Sequence, residues 1–270
     1  MKKVKLVGIL NITPDSFSDG GLYNKQNTAI KQLEHMLEMD TDVIDIGAIS
    51  TRPQGKLSSA EEEINRFKMI LPSLDPILRS CKAKISIDSF NYETLKYLLD
   101  IIPIDWINDQ SGAVDENIIK LVKEHNLKIV IMHNIGLPAD PKNIIPVDLD
   151  IVEVVKDWFL SRLDHLKGFG IKDEQIILDP GVGFGKTSKQ SWKLIKEASS
   201  FVNLGFPILY GHSRKSFLNI ITTAEFAKRD LDTAIVSYHL VDCGVEFLRV
   251  HDIDASRRML KIRTKIGQEI

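Results

Sequence analysis

Side chains able to donate or accept hydrogen bonds stand at one repeated place in this sequence, just past short apolar, β-rich runs. In chain order they are Asn11, Asp45, Asp88, Asn108, His133, Asp179, the segment from Gly211 to Ser216, and Arg249 with His251. Taken singly, an Asp or Asn at such a point is an ordinary helix cap or turn residue, because its short side chain satisfies free backbone N–H groups. Agreement at all eight places points elsewhere. Carboxylates and amides gathered there would hold the donor and acceptor edge of a flat heterocycle, and the cations would hold an anion.

Such residues meet only if the apolar runs are strands of one sheet. The strand candidates are 5–10, 42–46, 84–87, 105–107, 128–132, 175–178, 207–210 and 246–250. Segments with helical spacing separate them: 28–39, 59–80, 92–99, 116–125, 149–169, 189–199, 230–242 and 254–265. That alternation predicts parallel strands joined by helices. Eight such units fit a closed (β/α)8 TIM barrel better than an open doubly wound sheet, and residues 1–270 are expected to form a single domain. Barrel sites lie at the C-terminal ends of the strands, where the polar residues stand. Two loops there, Thr13 to Gly21 and Gly47 to Gly55, are longer than a βα connection needs and read as lids or binding loops.

Composition narrows the partners. With 43% hydrophobic and 27% charged residues the chain can bury a sizeable core, which excludes a disordered protein. A net charge of −2 without a basic run argues against nucleic acid. No stretch reaches the roughly eighteen apolar residues of a membrane helix, and the N-terminus turns polar at Asn11, too early for a signal peptide. Cys81 and Cys243 are too few for a disulfide framework and are expected as buried spacers, so the location expected is cytoplasmic.

The segment Asn11-Ile12-Thr13-Pro14-Asp15-Ser16-Phe17-Ser18-Asp19-Gly20-Gly21 closely resembles the first signature of the dihydropteroate synthases. Further motifs follow in register: Asp42 to Gly47, Ser50-Thr51-Arg52-Pro53, Ile87-Asp88-Ser89, Asn108 to Gly112 and Met132-His133. After them come Leu178-Asp179-Pro180-Gly181, Gly183-Phe184-Gly185-Lys186, Ser213 to Phe217 and Arg249 to Asp252. The resemblance implies an enzyme that joins a dihydropterin pyrophosphate to p-aminobenzoate and releases pyrophosphate, with Mg²⁺ as cofactor, a homodimeric assembly and sensitivity to sulfonamides.

By the same resemblance, Asp88, Asn108, Asp179 and Lys215 hold the pterin edge with Arg249 against the ring. Asn11, Thr51, Arg52, Arg249 and His251 take the pyrophosphate, and Asn11 is the protein's ligand to Mg²⁺. The p-aminobenzoate site falls to Phe17, Thr51, Pro53, Phe184, Lys215 and Ser216, its carboxylate needing donors such as the Ser216 hydroxyl and a helix N-terminus. Catalysis rests on Lys215, Arg249 and Asp88. These roles suit the residue types: a carboxylate accepts from ring N–H groups, an Arg fork fits two phosphate oxygens, and an amide oxygen suits a hard cation.

The chain departs from the family pattern at Ala48-Ile49, Gln54, Gln110, Asn134-Ile135 and His212. None of these removes an assigned ligand. Gly183 to Lys186 lacks the spacing of a nucleotide loop. Three rival readings are a pterin-binding methyltransferase domain, a pterin binder without turnover, and an unrelated phosphate-binding barrel. The loops after the first two strands argue against the first, an assay for pyrophosphate release separates the second, and titration with a pterin separates the third.

Overall fold

The protein is described by a computed structural model that covers residues 3–12, 22–49, 58–140 and 142–267. Its strands are β1 (Lys5–Asn11), β2 (Val43–Gly47), β3 (Lys84–Asp88), β4 (Trp106–Asp109), β5 (Lys128–Met132), β6 (Ile176–Asp179), β7 (Leu209–Tyr210) and β8 (Phe247–Val250). They form one sheet in the order β6-β5-β4-β3-β2-β1-β8-β7, every named pair being parallel. A parallel bridge from Leu178 to Ile208 joins the two ends, with the Leu178 N–H donating to the Pro207 carbonyl at 3.0 Å. The eight-stranded barrel expected from the alternation is the fold observed.

The helices are α1 (Leu22–Glu38), α2 (Ala60–Ser80), α3 (Tyr92–Leu99), α4 (Glu116–Glu124), α5 (Ile151–Gly168), α6 (Ser188–Lys196), α7 (Ala198–Val202), α8 (Asp230–Asp242) and α9 (Ile253–Ile266). Several start where the sequence offers a cap. Ser59 and Glu62 close a capping box on α2, Thr187 and Gln190 close one on α6, and Asp115, Asp150 and Asp252 cap α4, α5 and α9. The segment 189–199, expected as one helix, is two, because Glu197 leaves helical geometry at φ −103° and ψ 27°. Cys81 and Cys243 are half-buried rather than buried, yet burial still raises both thiol pKa values. Among the described residues no helix is long and apolar enough to cross a membrane.

Successive side chains on a strand point to opposite faces, and that period of two divides the core. Leu6, Ile44, Ile107, Ile129, Ile176 and Leu248 pack outward with helix residues such as Leu33, Phe67, Leu95 and Phe159. One residue along, Val7, Val43, Trp106, Val130, Ile177, Leu209 and Phe247 form a separate cluster that fills the barrel interior near the N-terminal ends of the strands. Two residues further still, the same inward face carries Ile9, Asp45, Asn108, Met132, Asp179, Gly211 and Arg249. The apolar layer is thus the floor on which a polar layer stands.

Candidate active site

Above that floor opens a cleft of about 610 Å³. Nine residues singled out from the sequence line it together: Asn11, Asp88, Asn108, Asp179, Phe184, Lys215, Ser216, Arg249 and His251. They come from the ends of six different strands, which is how a barrel gathers a site from distant parts of its chain. Phe17, Thr51, Arg52 and Pro53 lie outside the described residues.

A charged network holds the deep part. Arg249 Nε donates to Asp45 Oδ2 and Nη2 to Asp88 Oδ2, both at 2.6 Å. Asp45, fully buried, also accepts from Ser86 Oγ at 2.5 Å and Asn108 Nδ2 at 3.0 Å. Asp88 takes its other bond from Gln110 Nε2 at 2.7 Å. These bonds set aside the reading of Asp88 as a cap, since Asn91 stands at the N-cap of α3. Burial pushes Asp88 up to about 7, with the Arg249 guanidinium pulling down and the Asp45 charge pushing up. Burial opposes the Arg249 charge as well, but Asp45 and Asp88 outweigh it and hold the guanidinium ionised.

On the opposite wall, Asp179 Oδ1 accepts from the Gly181 N–H at 2.8 Å, while its Oδ2 lies beside Gly211. Burial raises the Asp179 pKa against the pull of Lys215. The Lys215 ammonium donates to the Val182 carbonyl at 2.6 Å and sits 4.5 Å from the centre of the Phe184 ring. Burial lowers it to about 8, with Asp179 opposing. Ser216 is exposed at the rim, at the start of a five-residue 3-10 turn, Ser216–Ile220. His251 is fixed by Ser213, whose hydroxyl lies 2.9 Å from Nδ1 and accepts from the His251 N–H at 3.2 Å.

His133 does not line the cleft. It is buried against Trp158, with ring centres 5.1 Å apart, and its Nδ1 meets Lys186 Nζ at 2.9 Å. Strand alternation carries the signal that would have found this, because Met132 holds the inward position on β5 and its neighbour must point away. Asp45, which the sequence placed among the strand ends without a role, accepts from both Arg249 and Asn108 and so positions them. The departures also have places. Gln110 orients Asp88, Asn134 Nδ2 donates to the Gln110 carbonyl at 2.7 Å, and Ile49 lines the cleft. His212 is buried with Nε2 2.8 Å from Ser237 Oγ, and burial lowers it to about 4, so it clasps β7 to α8 as a neutral ring.

Among the described residues, one corner holds two oxygens of the kind a divalent cation would need, one of them, Asp88 Oδ2, already accepting from Arg249. Asn11 Oδ1 and Asp88 Oδ2 lie 3.5 Å and 3.4 Å from the point where a Cβ on Gly47 would stand, so the bare glycine leaves a space lined by hard oxygens. Among the described residues no group of three or more acidic, His or Cys side chains surrounds it. An ion there would draw its remaining ligands from a substrate and water, which is the habit of Mg²⁺.

Residues 7–251 match a protein family described as pterin binding enzyme. The dihydropteroate synthase of Synechocystis sp. is 35% identical over 263 residues, covering 97% of this chain and 89% of that protein. A folate synthesis bifunctional protein of Chlamydia caviae is 34% identical, and this chain spans 60% of its length. The crystal structure of dihydropteroate synthase from Anaplasma phagocytophilum with bound 6-hydroxymethylpterin-monophosphate shares 36% identity. It superposes with a TM-score of 0.88 over 98% of this chain and 99% of that one.

Proposed function

The chain belongs to the pterin-binding enzymes and, among them, to the dihydropteroate synthases, transferases of folate synthesis, and from that we propose how its cleft joins 6-hydroxymethyl-7,8-dihydropterin pyrophosphate to p-aminobenzoate. The observation that carries the reading is the meeting of nine assigned residues in one cleft, with the charged network at its base.

The pterin lies on the polar layer. Asp179 accepts from its aminopyrimidinone edge, Lys215 donates to its carbonyl, and Asn108, with one N–H spent on Asp45, offers its second N–H and its carbonyl. Arg249 spends two of its five N–H donors on Asp45 and Asp88, which fixes the guanidinium plane and leaves the others for the pyrophosphate. His251 and Asn11 complete that end at the mouth. Mg²⁺, held by Asn11 and substrate oxygens, would add positive charge where the pyrophosphate departs.

Ionisation of the C–O bond at the pterin methylene leaves a cation that the dihydropterin ring delocalises, while Arg249 stabilises the leaving anion. The neutral amine of p-aminobenzoate then attacks from the side of Phe184, with its carboxylate toward Ser216, and the proton displaced by the new C–N bond leaves to the pyrophosphate or to water. This dissociative path needs no strong base. Sulfonamides, which copy the aniline and its anionic end, compete for the same wall.

Leu231, Ile235, Ile262 and Ile266 on α8 and α9 stay between 59% and 72% exposed, and we read them as the seat of a second copy. The unpaired Cys81 and Cys243 suit the cytoplasm. The test of the activity is direct: purified protein with both substrates and Mg²⁺ should release pyrophosphate and form dihydropteroate. No release by folded protein that binds pterin would make it a binder without turnover.

A further inference from the structure

Phe184 reaches the cleft on a turn that has little hold on itself. Gly181, Gly183 and Gly185 take φ of 65°, 84° and 60°, so every second residue from 181 to 185 is left-handed, and a Cβ on Gly181 would run into the His133 carbonyl. One internal bond, from the Phe184 N–H to the Gly181 carbonyl at 3.1 Å, closes it. From outside, the Ile145 N–H donates to the Gly185 carbonyl at 2.9 Å and the Gly183 N–H donates to Ser191 Oγ at 3.3 Å, while lysines take up three further carbonyls. Lys215 holds that of Val182, and Lys186 Nζ holds those of Gly181 at 2.9 Å and Phe184 at 2.8 Å.

Lys186 is only 7% exposed and lies outside the cleft. Its third short contact is His133 Nδ1 at 2.9 Å, with the His133 carbonyl further off at 3.4 Å. An ammonium has three N–H donors, and three close acceptors meet it. Burial drives the Lys186 pKa well below its ordinary value, with Lys215 adding and Asp179 opposing, and burial lowers His133 to about 3, which keeps the ring an acceptor. A buried cation spent on its own loop is costly unless what it holds matters.

We propose that Lys186 is a positioning residue for the arylamine site: with His133 as acceptor it fixes the turn 181–186 and so the Phe184 ring against Lys215. The inference rests on the reading of Phe184 as the p-aminobenzoate wall. Without Lys186 the Phe184 carbonyl loses this donor and the Gly181 carbonyl keeps only the Phe184 N–H, so the turn that carries the ring is held less firmly.

The experiment is a double-mutant cycle on the full chain, with Lys186→Met, Phe184→Ala and the pair, reading KM for p-aminobenzoate beside pterin Kd. Lys186→Met should raise that KM about tenfold, as expected for the loss of roughly one good hydrogen bond, and change pterin Kd less than about threefold. In the Phe184→Ala background the same change should add less than about twofold, because the ring it positions is gone. Additive effects, an unchanged KM or an equal loss for both substrates would overturn the proposal. If Lys186→Met does not fold, His133→Leu should raise KM and His133→Asn, which keeps an acceptor at the same reach, should restore it. Equal KM values in those two variants overturn it as well. Wild-type protein that turns over neither substrate would instead remove the functional reading beneath it.

Discussion

Near the N-terminal ends of the strands, Val7, Val43, Trp106, Val130, Ile177, Leu209 and Phe247 fill the barrel, with Trp106 set edge-on to Phe247 at 4.9 Å. Two residues further along the same strands, Asp45, Asn108, Asp179 and Arg249 occupy the same inward face. The lower layer is satisfied by packing, since apolar side chains there have lost water and gained each other. The upper layer is satisfied by ion pairs that only partly offset lost hydration, as the rise of Asp88 to about 7 and the fall of Lys215 to about 8 record. Depth along the barrel axis therefore separates stability from chemistry, and substitutions at the two levels should fail in different ways.

The largest effect should come from below. Trp106→Ala removes a nearly fully buried ring and should cost about 3–5 kcal/mol of folding stability by urea denaturation. The protein that remains folded at low temperature should keep its kcat/KM within about threefold. A parallel loss of catalysis in that folded fraction would break the separation.

At the upper level the expected sign reverses. Asp179→Asn should weaken pterin binding by about one to two decades, the loss of one charge-assisted bond of roughly 1.5–3 kcal/mol. Burial already disfavours the Asp179 charge, so the melting temperature should stay level or rise. Calorimetric titration and a thermal melt on one sample decide both halves. A fall in stability with unchanged affinity would move Asp179 to the structural layer.

The smallest effect is one of pH. Lys215 loses its proton near pH 8 in the free protein because burial outweighs the support of Asp179. A pterin carbonyl would favour the charged form, so the bound ammonium titrates higher than the free one. Through this group affinity is level below pH 8 and falls by up to about tenfold per pH unit above it. Fluorescence titration from pH 7 to 10 should find that slope in the wild type and lose it in Lys215→Ala. The same slope in both would assign the proton elsewhere.

Strands and the residues at their ends were legible because a period of two and a change from apolar to polar leave a mark within six residues, as Val43, Asp45 and Gly47 illustrate. Helix interruptions were less so. The break at Glu197 has neither glycine nor proline to announce it, and arises where the chain turns to bring Phe201 into the core. The strand window 207–210 was too generous, since only Leu209 and Tyr210 form a ladder and Ile208 makes a single bridge. Within the site, residue types told which side chains were polar but not which touch each other. The support of Arg249 by Asp45 spans 204 positions of sequence and depends on closure of the barrel, and the His133 that meets Lys186 lies 53 positions before it, just past the end of the neighbouring strand β5. No local pattern carries that information.

That closure is uneven. Among the described residues, β6 and β7 meet through the one bridge at Leu178 and Ile208, whereas β1 and β2 pair over five positions. The thin seam runs between the strand that ends in Asp179 and the strand that leads to Lys215, the two residues assigned to the pterin edge. A ring held by both would span the gap as a rung spans two rails, so the substrate becomes part of the barrel's own circumference while it is bound. Binding energy spent there would tighten the wall as well as seat the ligand, and the empty enzyme would be the form in which the circle opens most easily.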